Sequence, residues 1–129
     1  MAIVLPVVLL LTLGTLETCE AIFLLQKIEI AAQEGAREAI RRDATIADVE
    51  NAVGDYLQTR GITTPNLSMA VTSDPRPEMA SELDPVRVTV TIPTAGNFRM
   101  PIGFYRFWTD NELSAEVVMF KEYTPLPQP

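Results

Sequence analysis

The first sixteen residues, MAIVLPVVLLLTLGTL, carry no charged side chain, and this run limits the possible folds more than any other feature. The chain is apolar again through Leu25 after Glu17 and Glu20. A membrane-spanning helix needs roughly 20 apolar residues. Residues 2–25 are therefore predicted to span a membrane or to form the core of a bundle of like helices.

The helical pattern continues past Leu25, and no Gly, Pro or Ser linker separates the apolar run from the rest of the helix. One apolar stripe with spacings of three or four residues contains Leu25, Ile28, Ala32, Ala36 and Ala39. The sequence thus predicts one long helix in residues 1–42, hydrophobic in its first half and amphipathic in its second. Residues 43–129 are predicted to form an acidic distal domain that ends in a proline-rich tail.

A second, shorter helix is predicted at the start of the distal domain. Thr45 followed three residues later by Asp48 resembles a capping box, which marks a helix N-terminus. This helix is expected to end near Arg60, with Gly61 as its C-cap.

Three strands are predicted after this helix. Apolar and polar residues alternate in 67–72 and again, without exception, in 86–92, and a last strand is expected in 113–123, with residues 73–85 as a loop. The predicted fold class is α+β, pilin-like, with a three-stranded antiparallel sheet packed on the long helix.

Most of the aromatic residues fall in one connection, residues 98–108. The simpler interpretation is that they cover the open side of a small core. The alternative is an exposed patch for subunit contact, with these members: Phe98, Met100, Phe104, Tyr105, Phe107 and Trp108.

Composition argues against several functions. The net charge is -7, and residues 43–129 hold most of the acidic excess, so nucleic acid is not an expected partner. Without histidine, the chain lacks the commonest general base and metal ligand. We expect no catalytic residues, no metal and no cofactor, and therefore no enzyme.

Three weaker chemical possibilities remain. Glu17 and Glu20 lie three apart on one helix and are better explained by structural partners than by a proton relay. The acidic residues of 74–84 lack the ligand spacing of a calcium loop. Cys19, the single cysteine, is most simply a small hydrophobic residue of the helix.

The N-terminal sequence resembles that of the TadE-like family of pilins and pseudopilins. The shared pattern is an apolar run with an early proline, a G-x-x-E element and an A-A-x-E-G-A-R segment, which here are Pro6, Gly14 to Glu17, and Ala31 to Arg37. The segment LSAEVVMFKEY is similar to the family's last strand. The resemblance covers about the first forty residues strongly.

The resemblance implies a pilin or pseudopilin of a tight-adherence, type IV pilus-like system. Such a subunit is held in the bacterial inner membrane, is handled by the pilus-assembly machinery and polymerises into a helical surface filament for adhesion or secretion. The alternative is a single-pass membrane-anchored accessory component that binds a partner without polymerising.

Six residues of the long helix are assigned to assembly: Pro6, Leu10, Gly14, Glu17, Glu20 and Lys27. In a bundle of helices the carboxylates would need a cation from a neighbouring subunit. The candidates are the N-terminal amine or Lys27 of a staggered copy, and the G-x-x-E element favours Glu17 as the residue that receives it.

Overall fold

The computed structural model describes residues 2–97 and 111–122, and these form an α+β fold, which confirms the predicted class. The elements in chain order are α1 (Val4–Ala39), α2 (Ile46–Thr59), α3 (Leu67–Ala70), β1 (Val71–Asp74), β2 (Pro85–Pro93) and β3 (Glu112–Phe120). The segment 98–110, with the predicted aromatic patch, and the tail 123–129 lie outside the described residues.

Helix α1 has 36 residues and is about 54 Å long at the standard rise. Its second part packs on the rest of the fold through buried residues at helical spacing: Glu17, Ala21, Leu24, Ile28, Ala31, Ala32, Gly35, Ala36 and Ala39. Small residues dominate the end of this stripe. A Cβ on Gly35 would lie 2.7 Å from Cγ2 of Val53, so this glycine permits the close approach of α2.

The sheet is antiparallel in the order β1-β2-β3, as predicted. Strand β2 lies in the centre, where Val88 is opposite Ser73 of β1 and Val117 of β3. The alternation of apolar and polar residues predicted for β2 is present along the strand, since Val86, Val88, Val90 and Ile92 are fully buried. One face of the sheet packs on α1 and the core is closed by α2.

The first predicted strand was wrong in position. Residues Leu67–Ala70 form a single helical turn, and the strand β1 lies at Val71–Asp74, partly inside the predicted loop. The turn is closed by the bond from Ala70 N–H to Asn66 O, and it places Leu67 against Gly54 of α2. A period-two pattern over so few residues does not distinguish a strand from one helical turn.

Helix α2 begins with the predicted capping box. The Asp48 N–H donates to the Thr45 hydroxyl at 3.3 Å, and the Thr45 N–H donates to Asp48 Oδ2 at 2.9 Å. Glu78 adds a cap from the loop between β1 and β2, since its Oε1 accepts the Ile46 N–H at 2.9 Å. The helix ends at Thr59, and Gly61 has a φ of 70°, a backbone conformation that glycine adopts readily.

Candidate assembly interface on helix α1

The first part of α1 presents apolar side chains to the surroundings on all sides. No residue from Val4 to Leu16 is buried. The large apolar residues that are exposed here are Val4, Leu5, Val7, Val8, Leu9, Leu10, Leu11 and Leu16. Among the described residues, α1 is the helix that is long and apolar enough to cross a membrane by length and composition. Its exposure separates it from the core helix of a soluble domain.

The hydroxyl groups in this apolar segment are satisfied within the helix. Thr12 donates to Leu9 O at 2.9 Å. Thr15 and Thr18 each donate at 2.7 Å to the carbonyl four residues earlier. A hydroxyl that bonds its own backbone needs no water, so these threonines are compatible with lipid or with a dry helix bundle.

Three of the predicted assembly residues lie in this exposed part. Pro6 is the third residue of α1, where a backbone N–H has no partner within the helix, so the proline costs no internal hydrogen bond. Leu10 is exposed, and Gly14 is half-buried with its carbonyl bound by Thr18. None of the three contributes a charged or nucleophilic side chain, so their contribution to any interface is packing.

Glu17 is the first buried residue of α1, with an exposed fraction of only 3%. Its Oε2 is buried and has no hydrogen-bond partner among the described residues. The carboxyl lies on the same helix face as Ile28, eleven residues further on, which packs in the core. Glu17 therefore marks the level at which the domain begins to enclose the helix.

Glu20 and Lys27 lie together on the flank of this face. Both line a pocket with Phe23, Leu24 and Asn97. The side chain of Asn97 is held by two hydrogen bonds. Its Nδ2 donates to Pro93 O at 2.8 Å, and its Oδ1 accepts the Thr63 N–H at 2.8 Å. The pocket mixes one acid, one base and apolar walls. In the described ranges, no group of three or more Cys, Asp or Glu side chains is arranged to hold a metal ion.

Cys19 is exposed, on the side of α1 away from the core. It is nine residues from Ile28, which is about two and a half turns, so the two side chains point in opposite directions. Sequence reasoning did not identify this outer side of α1 as a distinct surface. Phe23 and Ile30 extend it beyond Leu25, with exposed fractions of 63% and 42%.

Fold and surface together define a class: a small α+β protein on a long helix whose first part is an exposed apolar rod. Within that class, the family model described as TadE-like protein matches residues 1–37, which confirms the resemblance seen in the sequence. The comparisons with curated proteins and with solved structures found no match. The TadE-like family is a pilus-related structural and assembly family that is not known for catalysis. The match and the apolar helix point to a component related to a tight-adherence pilus system, with α1 suited to anchor it in a membrane.

Proposed function

We propose that this protein is a structural subunit that polymerises through the first part of α1 into a pilus-like surface filament. Before assembly the same segment holds the subunit in the bacterial inner membrane, where the pilus-assembly machinery takes it up. The filament serves adhesion or secretion. The second candidate is a membrane-anchored accessory component that binds a partner without polymerising.

The observation that carries the proposal is the division of one continuous helix into two parts. From Val4 to Leu16 no side chain is buried, whereas from Glu17 on a full stripe packs on the domain. An exposed apolar surface of this size needs either lipid or other apolar helices as its surroundings. Because no break separates the two parts, a bundle of such helices would carry the domains on its outside in a fixed orientation.

Within that bundle we assign a role to the Glu17 carboxyl. Its Oε2 has no hydrogen-bond partner in the described part of the subunit, and a buried carboxyl group without a donor is costly. The donors proposed for the assembled state are the N-terminal amine and Lys27 of a staggered copy. Pro6, Leu10 and Gly14 supply the close apolar packing around this site.

Electron microscopy of sheared surface material, with mass spectrometry for this chain, tests the proposal. Filaments that contain the chain as their main component support it. The variant Leu10→Asp, which places a charge in the apolar rod at a cost of several kcal/mol, should abolish them. Leu83→Asp is the matched control, because Leu83 is similarly exposed at 59% but lies in the distal domain.

The accessory alternative gives a different result. In that case the chain stays in the membrane fraction, is absent from sheared filaments, and Leu10→Asp changes only its membrane retention. Filaments that form normally with Leu10→Asp incorporated would exclude the proposed role of the apolar rod.

A further inference from the structure

The outer side of α1 carries a second periodic pattern, which the domain leaves uncovered. Leu9, Leu16, Phe23 and Ile30 recur every seven residues, and all four are exposed. A second set lies three residues after each: Thr12, Cys19, Gln26 and Gln33, also all exposed. Spacings that alternate between three and four residues form the packing seam of a coiled coil. We call these eight positions the outer seam.

The outer seam and the buried stripe use opposite sides of the same helix. The buried stripe runs through Glu17, Leu24 and Ile28, and it is packed on the subunit's own domain. Cys19 and Gln26 of the outer seam are exposed at the same levels of the helix. A neighbouring molecule can therefore contact the outer seam without displacing the domain.

The length of the outer seam exceeds what a bilayer can cover. From Leu9 to Gln33 the outer seam extends about 36 Å, whereas the hydrocarbon core of a bilayer is about 30 Å thick. Gln26 and Gln33 also interrupt the apolar side chains near its end. Glutamine is poorly suited to lipid but forms hydrogen bonds between packed helices. Like helices cover this surface better than lipid does.

We propose that the outer seams of successive copies of this chain face a common axis, each copy displaced along it by seven residues, about 10 Å. The inference rests on the proposed function and specifies its register. The copies are parallel because all of them enter the same membrane in the same orientation. A displacement of one heptad keeps the seam in register, since each position meets its equivalent one repeat further on.

The charges beside the seam select this displacement. Glu29 flanks the seam on one side, and Lys27 and Glu34 flank it on the other. In parallel coiled coils, a flanking residue of one helix lies near the residue five positions further on in its neighbour. Without displacement Glu29 would meet Glu34, which already pairs with Arg37 of its own helix at 3.2 Å, and the two like charges would repel.

Displacement by seven residues brings Lys27 of the neighbour to Glu29 instead. Neither residue takes part in the ion pairs of the described residues, which join Arg37 to Glu34, Arg41 to Glu38 and Arg87 to Glu116.

Disulfide formation tests the displacement, because Cys19 is the only cysteine of the chain. Two cysteines can be bridged only when their Cα atoms are within about 7 Å. In the wild type, neighbouring Cys19 residues would be about 10 Å apart along the axis and should not link. In Gln26→Cys, Cys19 of one copy lies opposite residue 26 of the next. Oxidation of sheared filaments with copper phenanthroline should convert the monomer into a ladder of dimers, trimers and longer species.

Gln33→Cys is the matched control, since it makes the same change one heptad further along the seam. It should give no ladder, because Cys19 would meet residue 33 only at a displacement of two heptads. Within one helix, residues 19 and 26 are too far apart to link, so every bond reports a contact between copies.

The remaining outcomes are distinct. Linked dimers from wild-type Cys19 alone would mean that the copies are not displaced, and filaments that give no link with Gln26→Cys would mean that the outer seams do not meet. Either result overturns the inference and leaves the filament subunit intact. Absence of the wild-type chain from sheared filaments would instead contradict the proposed function.

Discussion

The ammonium group of Lys121 lies 3.1 Å from the carbonyl oxygen of Ala39, the last residue of α1. The same ammonium group donates to Pro77 O at 3.1 Å, and Lys121 is only 5% exposed. The last carbonyls of a helix lack partners within the helix and attract cations. Lys121 thus joins the C-terminal end of α1, the end of β3 and the loop before β2.

Replacing Lys121 with Met should destabilise the domain by about 2–3 kcal/mol, because two buried carbonyl groups lose a charged donor. Thermal unfolding of the whole chain in detergent, followed by circular dichroism, would measure the effect. Arg87→Met is the control, as Arg87 is an exposed cation that pairs with Glu116. Equal stability of the two variants would show that water or another group replaces the ammonium.

The N-terminal caps of α2 should make stability depend on acidic pH. The Thr45 backbone N–H, followed by the Thr45 hydroxyl, holds the pKa of Asp48 below its usual value. The Ile46 N–H does the same for the pKa of Glu78. A carboxyl with a lowered pKa stabilises the fold fully above its unfolded-state pKa, and this contribution is lost as pH falls through the folded-state pKa.

The double variant Asp48→Asn/Glu78→Gln should therefore unfold at a lower temperature than wild type at about pH 7. This difference in unfolding temperature should shrink as the pH falls through the folded-state pKa values, since the wild-type carboxyls then become protonated. Asp55→Asn, an exposed change late in α2, serves as control. A difference in unfolding temperature between wild type and the double variant that persists unchanged at acid pH would show that the carboxylate charges do not stabilise the caps.

Gly35→Ala should destabilise the protein although alanine is the better helix former. The helix propensity gain is about 1 kcal/mol, but the added Cβ would lie 2.7 Å from Val53 Cγ2 and 3.3 Å from Val88 Cγ1. Overpacking of this kind costs about 1–3 kcal/mol. In a double-mutant cycle with Val53→Ala, which removes the clashing methyl group, the combined loss in unfolding free energy should be smaller than the sum of the single losses. Strict additivity would place the steric conflict elsewhere.

Glu17→Met should have opposite effects on the subunit and on its assembly. Removal of an oxygen that accepts no hydrogen bond should raise the unfolding free energy in detergent by about 1–2 kcal/mol. Filament yield in the sheared fraction should fall, because the donor from the neighbouring copy loses its acceptor. A more stable subunit that assembles at the wild-type level would restrict Glu17 to a structural role within the subunit.

Sequence periodicity was sufficient for the elements with long, regular patterns. The strict alternation of β2 predicted its buried side chains. The stripe of α1 predicted the burial of Ile28 and Ala36, although at its start Leu24 lies in the core instead of the predicted Leu25. The capping box at Thr45 and Asp48 predicted the start of α2 from two residues. These signals are local, since the side chains that specify each element lie within it.

The features that sequence reasoning missed depend on distant parts of the chain. The burial of Lys121 depends on Ala39 and Pro77, 82 and 44 residues away. The turn at Leu67 depends on Gly54 of another helix. The outer seam is visible in the sequence as a heptad, but it becomes a separate surface only once the domain is seen to occupy the opposite side of α1.

The overlap of α1 with its domain also determines how the molecule carries mechanical load. The contacts of α1 with β2, β3 and α2 run parallel to the helix axis from Leu24 to Ala39, and Lys121 holds the far end. Tension along the axis would act on this joint in shear, which loads all of its contacts at once, whereas a peeling force would break them one by one. The joint inside each subunit should therefore resist a load along the helix axis better than a load that pulls the domain sideways from α1.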